Sequence, residues 1–189
     1  MDQQGNKLVL ASASPRRLEI LKEAGLSFTV RPVEIDEKME SYLSPRLAVQ
    51  LLACKKAAAA AGKEKEIIIG ADTIVVDGHT ILGKPADEAE AFTMLRQLSG
   101  KTHAVLTGVA VLRTADGRMC SCCEETAVTF KALTDAEIEA YIATGEPMDK
   151  AGAYGIQGEG GKLVLKTEGD FRNVVGLPLQ ALLQLLEEM

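Results

Sequence analysis

Large rings are scarce in this chain: it has no Trp, and Phe and Tyr bring the aromatic share to only 4%. A core must therefore be built from Val, Ile, Leu and Ala. His79 and His103 are the only histidines, so no His-rich metal centre can be assembled from the sequence, and no Ser/His/Asp set is evident. Of the four cysteines, Cys120, Cys122 and Cys123 form a C-x-C-C run without a second ligand pair, a poor zinc signature that reads as reduced thiols in a reducing compartment. A net charge of −6 argues against a general nucleic-acid or membrane-surface binder, so the positive charges that matter are local. No run of about 18 apolar residues occurs, and Met1-Asp2-Gln3-Gln4 has no basic or apolar leader character. The default expectation is a cytoplasmic protein without membrane contact. The known glycine cradles for phosphate, G-x-x-x-x-G-K-[ST] and an N-terminal G-x-G-x-x-G, are missing as well.

What is present is 189 residues with no linker and no repeat, read as one domain over residues 1–189 and long enough for a real core. Pro15 opens a helix that stops near Gly25, with Ser14 as its expected N-cap. A second helix begins near Pro45 and runs through an alanine-rich stretch to Gly62. Ile67 to Val76 reads as a buried strand, and Asp77-Gly78 turns it into a short partner, Thr80 to Leu82. A helix over Asp87 to Leu98 follows, then a long hairpin of Thr102 to Thr114 and Met119 to Phe130. Thr134 and Glu137 stand at capping-box spacing, Leu163 to Leu165 reads as a strand, and Pro178 to Glu188 as the last helix. Alternating helices and strands with antiparallel hairpins predict an α/β fold with a mixed sheet covered by helices.

The candidate chemistry begins at Ser12-Ala13-Ser14-Pro15-Arg16-Arg17, where a strand-to-helix turn carries two hydroxyls and two guanidiniums. The N–H groups of such a helix start favour an anion, and the arginines favour phosphate. Asp72, inside an apolar strand, needs a cation, a metal or strong donors unless it is a strand-end cap. Lys84 follows across the Asp77-Gly78 turn and is either a solvated charge or a phosphate ligand near Asp72. Glu34-Ile35-Asp36-Glu37 is a solvated loop or a site for a hard cation such as Mg²⁺ or Mn²⁺. Pro147 to Gly158 is glycine-rich, and Gln157 offers an amide able to read a base edge; a plain structural turn is the alternative. Arginines, lysines and a helix start for phosphate, with carboxylates for metal, suit attack of water on a phosphoanhydride.

Taken in order, Leu10 to Arg17, Gly70 to Val75, Leu82 to Pro85, Leu98 to His103, Glu146 to Gly158 and Val174 to Leu179 resemble the Maf-like nucleoside triphosphate pyrophosphatases across nearly the whole chain. The resemblance implies two lobes around an elongated mixed sheet with a cleft, as in inosine triphosphate pyrophosphatases. It implies metal-dependent hydrolysis of a nucleoside triphosphate to the monophosphate and pyrophosphate, a house-cleaning role, and a homodimer. By position, Ser12, Arg16, Lys56 and Lys84 match residues that hold the triphosphate. Lys56 is preferred to Lys55 because the family pattern Leu-Ala-x-x-Lys-Ala falls on Leu52 to Ala57. Glu37 and Asp72 match the acidic pair, Asp72 as base for water and Glu37 on the metal, with Lys84 counted beside them in the catalytic set. Arg17, Thr73 and Gln157 match the set that marks the dTTP/UTP branch. The alternative implied by the same family is a nucleotide-binding regulator of septum formation in which catalysis is not essential.

Overall fold

The structure, a computed structural model, describes residues 7–38, 43–62 and 65–189. The reading of Met1 to Gln4 lies outside them. Among the described residues the chain forms a mixed α/β fold on a seven-stranded sheet of order β2 (Thr29–Val30), β1 (Lys7–Leu10), β3 (Glu66–Asp77), β5 (Thr102–Arg113), β6 (Arg118–Phe130), β7 (Val164–Glu168), with β4 (Thr80–Leu82) paired to β3 off that path. Two compact units divide it: residues 1–72, 107–124 and 176–189, and residues 73–106 with 125–175.

The first unit is the parallel part. Strand β1 (Lys7–Leu10) pairs in parallel with β2 (Thr29–Val30) and with the start of β3 (Glu66–Asp77), in the register Lys7↔Glu66 to Leu10↔Ile69. Helix α1 (Pro15–Glu23) is the crossover from β1 to β2. Helix α2 (Pro45–Ala59) is capped by Ser44, whose hydroxyl accepts from the Leu47 N–H. Its alanines have a packing cause. A Cβ on Gly70 would sit 2.1 Å from the Ala53 carbonyl oxygen, and one on Gly108 2.4 Å from that of Val49. The α2 backbone therefore lies directly against the sheet, and only small residues fit between them. Val9, Ala53, Ala57, Ile68 and Ala110 form this aliphatic core. The last helix of the unit, α6, spans Leu179–Glu187.

The second unit holds the end of β3, β4 (Thr80–Leu82), α3 (Glu88–Leu98), α4 (Asp135–Ile142), β7 (Val164–Glu168) and α5 (Phe171–Val175). The hairpin pairs Asp77 with Thr80, leaving Gly78 and His79 as its two-residue loop, with positive φ at Gly78 alone. Strands β5 (Thr102–Arg113) and β6 (Arg118–Phe130) supply segments to both units. The few rings of the chain are concentrated in this unit. Phe130 and Tyr154 meet edge to face at 4.7 Å, with the His103 ring 5.1 and 5.4 Å from them. The aliphatic core expected from composition is found in both units, and the second adds this aromatic cluster to it.

Several local expectations change. Ser14 occupies the N-cap position of α1 but its side chain caps nothing; instead the Ser12 hydroxyl accepts the Ser14 N–H at 3.2 Å. The strand expected from Leu163 begins at Val164 and runs on to Glu168. The glycine-rich segment, which shows no periodicity, folds as three short 3₁₀ turns, Glu146–Asp149, Ala151–Ala153 and Gly158–Leu163.

Candidate active site

The first unit gathers six of the expected residues: Ser12, Arg16, Arg17, Glu37, Lys56 and Asp72. Strand β1 delivers the turn, fixed from behind by the Ala11 N–H donating to Ile69 O at 2.8 Å. Arg17 is held at two points, Nε donating to Gly176 O at 2.8 Å and Nη1 to Ser12 Oγ at 3.3 Å. Burial pushes its pKa down; Asp72 raises it, Arg16 lowers it further and Glu37 opposes. A guanidinium keeps its charge in proteins over the ordinary pH range. It is a fixed, half-buried positive charge in the field of two carboxylates.

Those carboxylates converge on one ammonium. Lys56 Nζ lies 2.5 Å from Asp72 Oδ1 and 2.6 Å from Glu37 Oε1. The side chains of Lys56 and Asp72 are 11% and 14% exposed, while Glu37 at 53% is open to solvent. The close approach of α2 at Gly70 is what lets a residue on the buried face of the helix reach a strand carboxylate. Lys56 also stands in the last turn of α2, where the helix dipole favours a cation. The cation that Asp72 requires is therefore Lys56, sixteen residues back in the chain. Of the acidic loop, only Glu37 turns to this lysine; Asp36 Oδ1 accepts the Lys38 N–H at 2.9 Å and closes its own turn.

No group of three or more Asp, Glu, His or Cys suited to a metal occurs among the described residues. A hard divalent cation needs no such group, being held through one or two carboxylates with water and phosphate oxygens completing its shell, and Glu37 and Asp72 are two carboxylates that converge. Cys120, Cys122 and Cys123 line a separate cavity of about 450 Å³ against Gln184 and Glu188. Burial pushes the Cys122 thiol up to about 11, so it is protonated at neutral pH and a poor ligand or nucleophile.

Thr73, Lys84 and Gln157 belong to the second unit. Thr73 is half-buried on β3, whereas Lys84 and Gln157 are exposed. The β3–β4 ladder ends at Val75↔Leu82, so Lys84 lies in the loop beyond it. Gly83 O accepts the Gly152 N–H at 2.9 Å, which ties the Lys84 loop to the glycine-rich segment. At Gly152, φ is +67° and a Cβ would lie 2.9 Å from the Val75 side chain, so glycine is required there. Sequence reasoning passed over Tyr141 and Glu146, which hold the loop carrying Gln157. The available signal was an acidic residue ahead of a run of glycines.

Comparison with known proteins places these features in a group. The profile of the family described as Maf-like protein matches residues 7–189. A dTTP/UTP pyrophosphatase from Moorella thermoacetica is 54% identical over 182 residues, 96% of this chain and 94% of that protein. Its counterpart from Pelotomaculum thermopropionicum, of the same name, is 49% identical over 183 residues, 96% of each chain. Among solved structures, a nucleoside-triphosphatase / dITP/XTP pyrophosphatase from Mycobacterium abscessus is similar at 17% identity and a TM-score of 0.43, covering 67% of this chain and 75% of its own. With the family profile spanning all but the first six residues and relatives at about half identity along the whole length, this chain belongs to the Maf-like protein family.

Proposed function

We propose that this protein hydrolyses dTTP and UTP to their monophosphates and pyrophosphate, with residues 1–189 working as one domain. The observation that carries the reading is the Lys56 ammonium held between Asp72 and Glu37 beside the cationic turn of Ser12, Arg16 and Arg17. A site for an anion alone gains nothing from two carboxylates; a site for a metal-chelated triphosphate needs them. The shared name of the relatives, dTTP/UTP pyrophosphatase, supports the same reaction.

Glu37 and Asp72 are the residues that would hold a divalent cation, Mg²⁺ or Mn²⁺, which when bound supplies Lewis-acid charge to the phosphates and acidifies water. Lys56 keeps the two carboxylates together and cancels one of their charges. Asp72 orients a water and takes its proton as the oxygen bonds to the α-phosphorus. The bridging bond to the β-phosphate breaks, and pyrophosphate leaves with the electron pair. Arg16, Lys56 and Lys84 balance the charge of the phosphate chain, and the Ser12 hydroxyl and the first N–H groups of α1 donate to its oxygens. Arg17, Thr73 and Gln157 set the preference for a pyrimidine, Gln157 through its paired donor and acceptor. Positioning and fixed charge supply most of the acceleration.

The test is a panel of canonical and modified triphosphates scored for products with Mg²⁺ and Mn²⁺. Monophosphate plus pyrophosphate, fastest from dTTP and UTP, is expected. Diphosphate plus orthophosphate, or equal turnover of all bases, contradicts the reading. It extends to a homodimer in the cytoplasm, and light scattering of the purified protein checks the dimer.

A further inference from the structure

The loop that carries Gln157 is folded around a carboxylate of the chain itself. Glu146 Oε1 accepts the Tyr141 hydroxyl at 3.0 Å and the Gly160 N–H at 3.2 Å, while Oε2 accepts the Glu159 N–H at 3.1 Å. The Tyr141 hydroxyl in turn accepts the Gly155 N–H at 3.2 Å. Two side chains therefore fix backbone N–H groups on both sides of Gln157, two residues before it and two and three after.

The glycines of this loop are there because the fit is close. A Cβ on Gly158 would lie 2.9 Å from Glu146 Oε2, and one on Gly160 would lie 2.3 Å from Gly155 O and 2.6 Å from the Tyr141 hydroxyl. Gly158 also has φ +82°. Successive N–H groups around an anion form a nest, a geometry that elsewhere binds phosphate; here Glu146 fills it. Tyr141 is buried, 4% exposed, in the core of the second unit. The Glu146 carbonyl accepts Lys150 Nζ at 2.6 Å, closing the turn beneath the loop.

We propose that Glu146 and Tyr141 are positioning residues for Gln157, and that this clamp, rather than Gln157 alone, sets discrimination between pyrimidine and purine triphosphates. The inference rests on the proposed function, in which Gln157 reads the base. Bonds to a charged acceptor are stronger than neutral ones, and each orphaned N–H must find water when the carboxylate is lost. An exposed Gln on an unclamped loop spends most of its time away from the base.

The experiment measures kcat and KM for dTTP and for dGTP in the unaltered protein and in Glu146→Ala, Glu146→Gln, Tyr141→Phe and Gln157→Ala. Glu146→Ala is expected to lower the dTTP-to-dGTP ratio of kcat/KM about tenfold, one lost interaction of about 1.4 kcal/mol. The loss comes through KM for dTTP, with kcat changed less than threefold. Glu146→Gln, which keeps one acceptor oxygen, restores part of the ratio. Hydrogen exchange supplies a readout separate from activity: amide exchange at Glu159 and Gly160 speeds up in Glu146→Ala, and at Gly155 in Tyr141→Phe. Should Glu146→Ala not fold, Tyr141→Phe, which removes one hydroxyl, carries the test by the same two readouts.

An unchanged ratio in Glu146→Ala and Tyr141→Phe, with Gln157→Ala lowering it, overturns the clamp and leaves the base-reading assignment standing. An unchanged ratio in Gln157→Ala overturns both. Equal losses on dTTP and dGTP show general damage to the site and also overturn the clamp.

Discussion

His103 makes stability depend on acid in a way that can be worked from its surroundings. The ring is 3% exposed, wedged between Phe130 and Tyr154, with Nε2 sharing a 2.8 Å hydrogen bond with the Tyr154 hydroxyl and Nδ1 buried without a partner among the described residues. Burial lowers its pKa from 6.5 to about 4, with Asp77 opposing the shift. The folded state thus refuses a proton that the unfolded chain accepts. The contribution is fully present above pH 6.5 and is lost as pH falls toward 4. With 1.36 kcal/mol per pKa unit, about 2 kcal/mol is lost from pH 7 to 5 and about 3 kcal/mol by pH 4. Urea unfolding of the protein and of His103→Gln across this range isolates the effect, since other groups titrate in both. At pH 7 the variant is expected to be the less stable, having lost ring packing, and the gap should narrow by about 2 kcal/mol by pH 5. A gap constant to within about 0.5 kcal/mol over that range would refute a buried neutral imidazole.

Three other perturbations follow from the packing. Gly70→Val puts a Cβ where the Ala53 carbonyl now lies at 2.1 Å, so it should push α2 off the sheet, cost about 3 kcal/mol in urea unfolding and separate Lys56 from Asp72. Arg31→Met strands Glu66, 2% exposed and paired to Arg31 at 2.7 Å. With Arg31 itself 42% exposed, the expected cost is near 3 kcal/mol, the low end for breaking a buried pair. The Arg31 hydrogen bond holds the Glu66 pKa below its usual 4.5, so the native pair is present above that pH and is lost as pH falls below it; the variant should lose this part of the acid dependence. Lys56→Met leaves Asp72 and Glu37 without their shared ammonium; turnover should fall at least a hundredfold, as for other fixed charges at a reacting centre.

What could be read from the sequence depended on how local its cause is. The capping box at Thr134 and Glu137 is present with both of its bonds, because its partners are three residues apart. The Asp77-Gly78 hairpin and the alanine-rich helix were equally legible, one from turn chemistry and the other from the spacing of its apolar residues. Ser14 misled because a serine before Pro15 has the right identity, while the competing acceptor two residues earlier is visible only once the turn has folded. Helix α5, five residues long, is too short to show a period. The site divided along the same line. Asp72 was marked by being charged in an apolar strand, yet its partner Lys56 stands on a helix and could be chosen only through the family resemblance. Glu146 was marked only as an acidic residue ahead of a run of glycines; its partners, two backbone N–H groups and the Tyr141 hydroxyl, are not displayed by sequence.

The most direct test of the account is pyrophosphate release from dTTP by Asp72→Asn, with dTTP binding followed in parallel by calorimetry. The amide keeps the shape and still accepts from Lys56 but cannot take a proton from water. Binding within a few-fold of the unaltered protein, with turnover lower by about 10²–10⁴-fold, is the predicted result. Turnover that survives the substitution would remove Asp72 from the reaction and contradict the account.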